Sequence, residues 1–181
     1  MLITIDKLKE IYTDKDFSKY SDARLEMKLK SIETAIRRLT HNKFLNRAFK
    51  YNHIAKGGKM VLSEQHYLKV DDTVLISGST FNNGLYVIKE IDNNTFTLDK
   101  PLIDDIKGIA IKVEYPIDII DGAVELLDWD CNYKMSDKQG ISSESISRHS
   151  VSYVQYSESN MKEGYPIEKM GFIKKYTEWR T

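Results

Sequence analysis

Leu25, Leu29, Ile32, Ile36 and Leu39 recur at steps of three and four residues, with Arg24, Glu26, Lys28, Lys30, Glu33, Arg37 and Arg38 mostly on the other side. This periodicity predicts a long helix that buries one face only. Ser21 is suited to be its N-cap, Asp22 lies near the positive helix end, and fraying is expected near Thr40-His41-Asn42. Ahead of it, Thr4 is placed to cap a short helix over Ile5 to Tyr12, which the polar stretch from Thr13 to Tyr20 then breaks. Helical spacing resumes at Pro116, a residue favoured in a first helical turn, with Ile117, Ile120, Val124, Leu127 and Cys131 on one face through about Tyr133. A terminal helix opens at Tyr165-Pro166, with Ile167, Met170, Ile173 and Tyr176 along one side and Lys174, Lys175 and Arg180 near its negative end.

Between the helical stretches the period changes. From Gly57-Gly58 the chain is rich in β-branched residues separated by turn signals, and the predicted strands are Thr73 to Ser77, Leu85 to Ile91, Thr95 to Leu98 and Ile109 to Val113. Asn82-Asn83-Gly84 and Asp92-Asn93-Asn94 supply residues that tolerate positive φ, as tight hairpins demand. Leu85, Val87 and Ile91 alternate with Tyr86 and Ile88, which suits a strand covered on both faces, as in a small closed barrel. Phe44 to His53 alternates weakly and reads as extended, and Gly57-Gly58-Lys59 reads as a flexible junction into the module.

Neither helical flank has enough apolar faces to close a core alone. The expected fold is therefore α+β: a small helical domain of long helices packed together, with an inserted small β-barrel-like module, an extended C-terminal arm and a terminal helix. Residues 1–56 and 117–181 form the discontinuous helical domain, and residues 57–116 form the insert.

Serine recurs at 142, 143, 145, 147, 150 and 152, and Ile146, Arg148, Ser150 and Ser152 alternate with Ser147, His149, Val151 and Tyr153. That pattern predicts an extended arm or hairpin. With few apolar residues, such an arm gains order most readily from a partner, by strand addition to a neighbour. Ser142, Ser143, Glu144, Ile146, Arg148, Ser150, Val151 and Tyr153 are its candidate contact residues, and Tyr165, Tyr176 and Trp179 are candidates near the chain end. Lys28, Lys30, Arg37 and Arg38 are open to acidic neighbours across an interface, although a charged helix face is usually solvated.

Composition narrows the function. The 181 residues are 41% hydrophobic and 30% charged, with zero formal net charge, which fits a globular chain and disfavours tight, salt-sensitive binding to nucleic acid. Cys131 is the single cysteine, so neither an internal disulfide nor a cysteine zinc site is expected, and a reducing compartment fits. The start lacks a leader pattern and no apolar run reaches the length of a membrane span, so the cytoplasm is the expected site of synthesis.

Catalytic signals are missing as well. His41, His53, His66 and His149 are scattered without metal-pair spacing and read as surface or satisfied histidines. Asp71-Asp72, Asp104-Asp105 and the Asp128 and Asp130 pair lack calcium-loop spacing and read as turn and solvated residues. Ser142, Ser143 and Ser145 lie near His149 without a nucleophile elbow, and no glycine-rich phosphate loop is present. No catalytic residue, cofactor or metal is expected. Tyr67, Phe81, Tyr86 and Phe96 are stacking candidates for an alternative in which the β module is a barrel that binds nucleic acid or glycan, with the helices as support.

Several phrases occur in an order that resembles the head-tail connector (adaptor, head-completion) proteins of long-tailed bacteriophages. They run from Ile5-Asp6-Lys7-Leu8-Lys9 to Ser21-Asp22-Ala23-Arg24-Leu25 and Arg37-Arg38-Leu39-Thr40-His41-Asn42-Lys43-Phe44. Leu126-Leu127-Asp128-Trp129 follows, and after it a Ser-Glu-x-Ile segment (143–146) leading to Ser-Val-x-Tyr (150–153), and a closing Tyr-Pro helix with Lys174-Lys175-Tyr176. The resemblance covers residues 1 to about 56 and about 117 to 181, and the β module departs from the simplest, almost wholly helical connectors. It implies a structural virion protein at the portal vertex that forms a homo-oligomeric ring under the portal. Such a ring offers the attachment surface for a tail-side stopper or tail-completion protein, while DNA passes through without sequence-specific binding.

Overall fold

The computed structural model describes residues 1–132, the strand backbones 143–146 and 149–152, and residues 160–177. The chain divides into two compact units: Lys43–Tyr115 together with Met1, and Leu2–Asn42 together with Pro116–Thr181. The fold is α+β, with a closed six-stranded antiparallel barrel inserted between helices.

In the helical unit, Thr4 caps α1 (Ile5–Ile11) by accepting a hydrogen bond from the Lys7 amide at 3.4 Å. α2 runs over Asp22–Thr40 and ends where His41 takes a left-handed conformation at φ 55°. Its Leu25, Leu29, Ile32 and Ile36 are fully buried, each contributing about 2 kcal/mol. Leu39, assigned to that stripe, is only half-buried, and Thr40 takes the last interior position, its hydroxyl donating to the Ile36 carbonyl at 2.8 Å.

α3 (Ile117–Asn132) packs on both α2 and the terminal helix. Two packing partners widen its buried surface, so Ile119, Ala123, Leu126, Trp129 and Asp130 are interior in addition to Val124, Leu127 and Cys131. Ile117, expected on the buried face, is 78% exposed. After the two-stranded β9–β10 pair (Met161–Lys162 and Tyr165–Pro166), the terminal helix over Ile167–Tyr176 is a 3-10 helix. The three-residue spacing of Ile167, Met170, Ile173 and Tyr176 suits three residues per turn; Met170 and Ile173 are the buried pair.

The barrel begins earlier than Gly57. β1 (Leu45–Lys56) pairs with β2 (Lys59–Leu62) on one side and β6 (Asp105–Val113) on the other; β3 (Thr73–Ser77), β4 (Gly84–Asp92) and β5 (Thr95–Leu98) complete the order β1-β2-β5-β4-β3-β6. Gly57-Gly58 is therefore not a flexible junction. Lys56 pairs with Lys59 across it, and φ values of 59° and 80° make it a two-residue hairpin turn that only glycine enters without strain.

Asn93 turns β4 into β5 at φ 50°, as its turn chemistry predicts. Asn82 and Asn83 act differently, because their side chains rather than positive φ shape the β3–β4 loop. Asn83 Nδ2 donates to the Ser79 carbonyl at 2.6 Å, and Asn82 bridges to Ile103. A bulge between Ile88 and Glu90 in β4 shifts Ile91 to the interior side with Tyr86 and Ile88, away from the side shared by Leu85 and Val87.

Tyr51, Ala55, Met60, Leu62, Val74, Ile76, Ile88, Phe96, Leu98 and Ala110 fill the interior. His53, on the same inward face of β1 as Tyr51 and Ala55, is 3% exposed, and its Nδ1 has no partner. It lies across Gly108, where a β-carbon would come within 2.2 Å of the imidazole Cε1. Gly108→Ala should therefore cost roughly 1–3 kcal/mol in urea denaturation, and most of that cost should vanish in a His53→Ala background.

Burial pushes the His53 imidazole below its ordinary value of 6.5. The unfolded chain takes up this proton at a higher pH than the folded barrel does, so the contribution to stability is complete above about 6.5 and declines as pH falls below it. Urea midpoints measured between about pH 7.5 and about pH 5 should fall with pH, with a shallower slope in His53→Gln.

Candidate functional site

The polar arm is a hairpin. β7 (Ser143–Ile146) and β8 (His149–Ser152) pair antiparallel, with Ser143 opposite Ser152, Glu144 opposite Val151, Ser145 opposite Ser150 and Ile146 opposite His149. Among the candidate contacts, Ser143, Glu144, Ile146, Ser150 and Val151 lie on these strands, whereas Ser142, Arg148, Tyr153 and Trp179 lie outside the described residues.

Among the described residues this sheet has two strands only, so each strand carries an outer edge of backbone groups that pairs with no other described strand. A lone two-stranded hairpin is marginally stable in water, and a third strand supplied from outside completes its ladder.

The two C-terminal tyrosines are held differently. Tyr165 is 7% exposed, meets the Trp129 ring edge-on at 6.0 Å, and burial pushes its phenol well above the usual range. Its ring belongs to the helical core, not to an open surface. Tyr176 is half-buried, and its hydroxyl donates to Asp118 Oδ1 at 2.6 Å. Lys175 pairs with the same carboxylate, which holds Asp118 below its ordinary value and ties the terminal helix to the start of α3.

The basic face of α2 is engaged at home. Lys28 reaches Asp130 of α3 at 2.5 Å, Lys30 pairs with Glu26 at 3.0 Å, and Arg38 pairs with Glu163 in the β9–β10 turn. Asp130 is not the solvated residue its neighbourhood predicts, being 1% exposed. No local pattern marks it, because its partner lies a hundred residues earlier in the chain.

Of the proposed stacking aromatics, Phe96 is fully buried in the barrel and Tyr86 packs partly against that core. Tyr67 and Phe81 are exposed, but they sit on the loops before and after β3, at opposite ends of the barrel, and so build no common platform. His41 caps α2, and His66 places Nε2 2.9 Å from the Asn93 carbonyl oxygen. Among the described residues no group of three or more His, Cys, Asp or Glu side chains is placed to hold a metal ion, and no helix is long and apolar enough to cross a membrane.

The loops at the hairpin-turn end of the barrel are joined by a polar network. Asn82 Nδ2 donates to the Ile103 carbonyl at 2.7 Å while its Oδ1 accepts from the Ile103 amide at 2.8 Å. Asp105 Oδ2 accepts from the Ser79 hydroxyl at 2.7 Å and the Thr80 amide at 2.6 Å, and these bonds hold its carboxyl down to about 2. Asp104 Oδ1 accepts from the Gly57 amide at 2.8 Å, and the Leu102 amide donates to the Gly58 carbonyl at 3.0 Å. Three loops are fastened into one surface, a feature whose separate parts read in the sequence only as turn residues.

Comparison with protein-family models gave no match, and comparison with curated proteins gave no significant relative.

Lys28→Met removes the cation from a nearly inaccessible carboxylate. It should destabilise the protein by about 2 kcal/mol in urea denaturation, less than a fully buried pair because Lys28 itself is 30% exposed, and Asp130→Asn should cost less still.

Proposed function

We propose that this protein is a head-tail connector of a tailed bacteriophage, a non-enzymatic subunit that forms a ring under the portal and presents the attachment surface for a tail-side stopper or tail-completion protein. The observation that carries the reading is the β7–β8 hairpin: a polar strand pair, two-stranded among the described residues, in the segment where the ordered resemblance to connectors is most specific. A strand pair of this kind suits a ring subunit, which holds its neighbour and the component above or below it.

The helical unit supports the same reading. It draws α2 and α3 from either side of a 73-residue excursion, Lys43–Tyr115, as the resemblance requires. Zero net charge suits a conduit, since a strongly basic ring would retain the genome electrostatically. No catalytic step is assigned to it.

Native mass spectrometry of the full chain, alone at increasing concentration and mixed with portal-bearing heads, should give a discrete ring bound to the heads. A protein that stays monomeric and ignores such heads, or virions that join head to tail without it, would overturn the reading. Gly-Ser replacement of 143–152 should abolish ring formation while the thermal unfolding of both units is retained.

A further inference from the structure

Entry and exit of the chain lie at one end of the barrel. Leu45 pairs with Val113, so the chain enters and leaves at the same end, while the β1–β2 turn, the β3–β4 loop and the β5–β6 loop gather at the far end. At that far end three large apolar side chains face solvent: Phe81 is 62% exposed, Ile103 59% and Ile106 88%. The loops that carry them are clamped by the Asn82, Asp104 and Asp105 hydrogen bonds, so the patch is presented without a large ordering cost on binding.

Its charge is mildly positive: exposed Lys56, Lys59, Lys100 and Lys107 surround these loops and outnumber by one the carboxylates of Asp99, Asp104 and Asp105, which accept hydrogen bonds from Val87 in β4 and from Gly57, Ser79 and Thr80. An apolar centre with a cationic rim fits an anionic surface that has an apolar depression.

The chain carries such a surface. From Ile117 to Asn132, α3 has no Lys or Arg, and its Asp118, Asp121 and Glu125 line an open groove of about 320 Å³ with Glu168 and Lys169 of the terminal helix. Phe172 lies over Gly122 in that groove, and exposed Ile117 and Ile167 precede Asp118 and Glu168 on the same two elements. Three lysines partly offset the acids: Lys15 and Lys169 pair with Glu125, and Lys175 with Asp118. Asp121 is exposed, with the Tyr12 hydroxyl as its hydrogen-bond donor.

We infer that the far end of the barrel, through Phe81, Ile103 and Ile106 and its lysine rim, docks on the acidic α3 groove of a second copy of this chain. The contact is head-to-tail: each copy donates a barrel end and receives one, the kind of interface that closes into a ring or propagates as a filament. It rests on the ring reading above and adds to the hairpin a second contact between neighbouring copies.

Sedimentation velocity of the full chain, alone and on portal-bearing heads, tests this. The exposed-site variant Phe81→Ser/Ile103→Thr/Ile106→Thr, and separately Asp121→Lys/Glu168→Lys, should each weaken self-association about tenfold or more with circular dichroism unchanged. Mixed together, the two variants should form a dimer and nothing larger, since each retains one working surface. Combining Lys56→Glu/Lys59→Glu with Asp121→Lys/Glu168→Lys in one chain should restore association. If the α3 substitutions disturb folding, Ile117→Lys replaces them.

A folded barrel-end variant that assembles like the wild type overturns the contact and leaves the ring reading intact. A wild-type chain that forms no ring, even on heads, overturns both. Barrel-end-dependent binding to phosphatidylserine vesicles with self-association unchanged would assign the patch to lipid and also overturn the contact.

Discussion

Pairing between the first and last strands of the barrel is the constraint on which the architecture depends. Leu45 opposite Val113, with the Glu114 amide donating to the Phe44 carbonyl at 2.9 Å and the Phe44 and Tyr115 rings 4.9 Å apart, brings the two ends of a long excursion together. An insert whose ends meet interrupts a helical chain without stretching it, because the host has only a short gap to bridge. Bulges in β1, between Asn46 and Lys50 and again between His53 and Ala55, bend that strand enough to serve both β2 and β6 and so to close the barrel. Closure removes free edges from the barrel, whereas the β7–β8 and β9–β10 sheets have two strands each among the described residues.

The helical unit solves a different problem, since its helices come from separate parts of the chain and must find one arrangement. Apolar residues on α2 and α3 supply most of the stabilisation, but apolar packing alone tolerates sliding. The Lys28–Asp130 pair adds a directional link at one end of α3, and Asp118 with Lys175 and Tyr176 adds one at the other. Gly122 sets the approach of the terminal helix: a β-carbon there would come within 2.5 Å of the Phe172 ring. Position in this unit is thus set by a few polar contacts and one missing side chain, while the energy comes from burial.

Both proposed contact regions follow one physical logic. A two-stranded polar pair is a template for a further strand, and an apolar patch held by loop hydrogen bonds loses little entropy on docking. The carboxylates at the barrel end stiffen the loops by accepting their amides, beside lysines that outnumber them by one.

Periodicity by itself determined where α1, α2 and α3 form and most of the strands, because those depend on local hydrogen bonding and on which face of an element is apolar; that the barrel unit starts at Lys43 and not at residue 57, and that Tyr165-Pro166 is a strand ahead of a 3-10 helix, was decided by pairing. Thr73 to Ser77 and Thr95 to Leu98 form as strands over the predicted spans, and Thr4 and Ser21 begin their helices. Gly57-Gly58 misleads, since a glycine pair is equally the signature of a loose joint and of a tight hairpin, and only the pairing of Lys56 with Lys59 selects the turn. Burial of His53 and Asp130, exposure of Ile117, the Tyr165 ring in the core and the bridging of the β3–β4 loop to Ile103 through Asn82 were decided by the tertiary structure. Each depends on a partner far away in the chain, and sequence period reports which residues share a face but not what that face will meet.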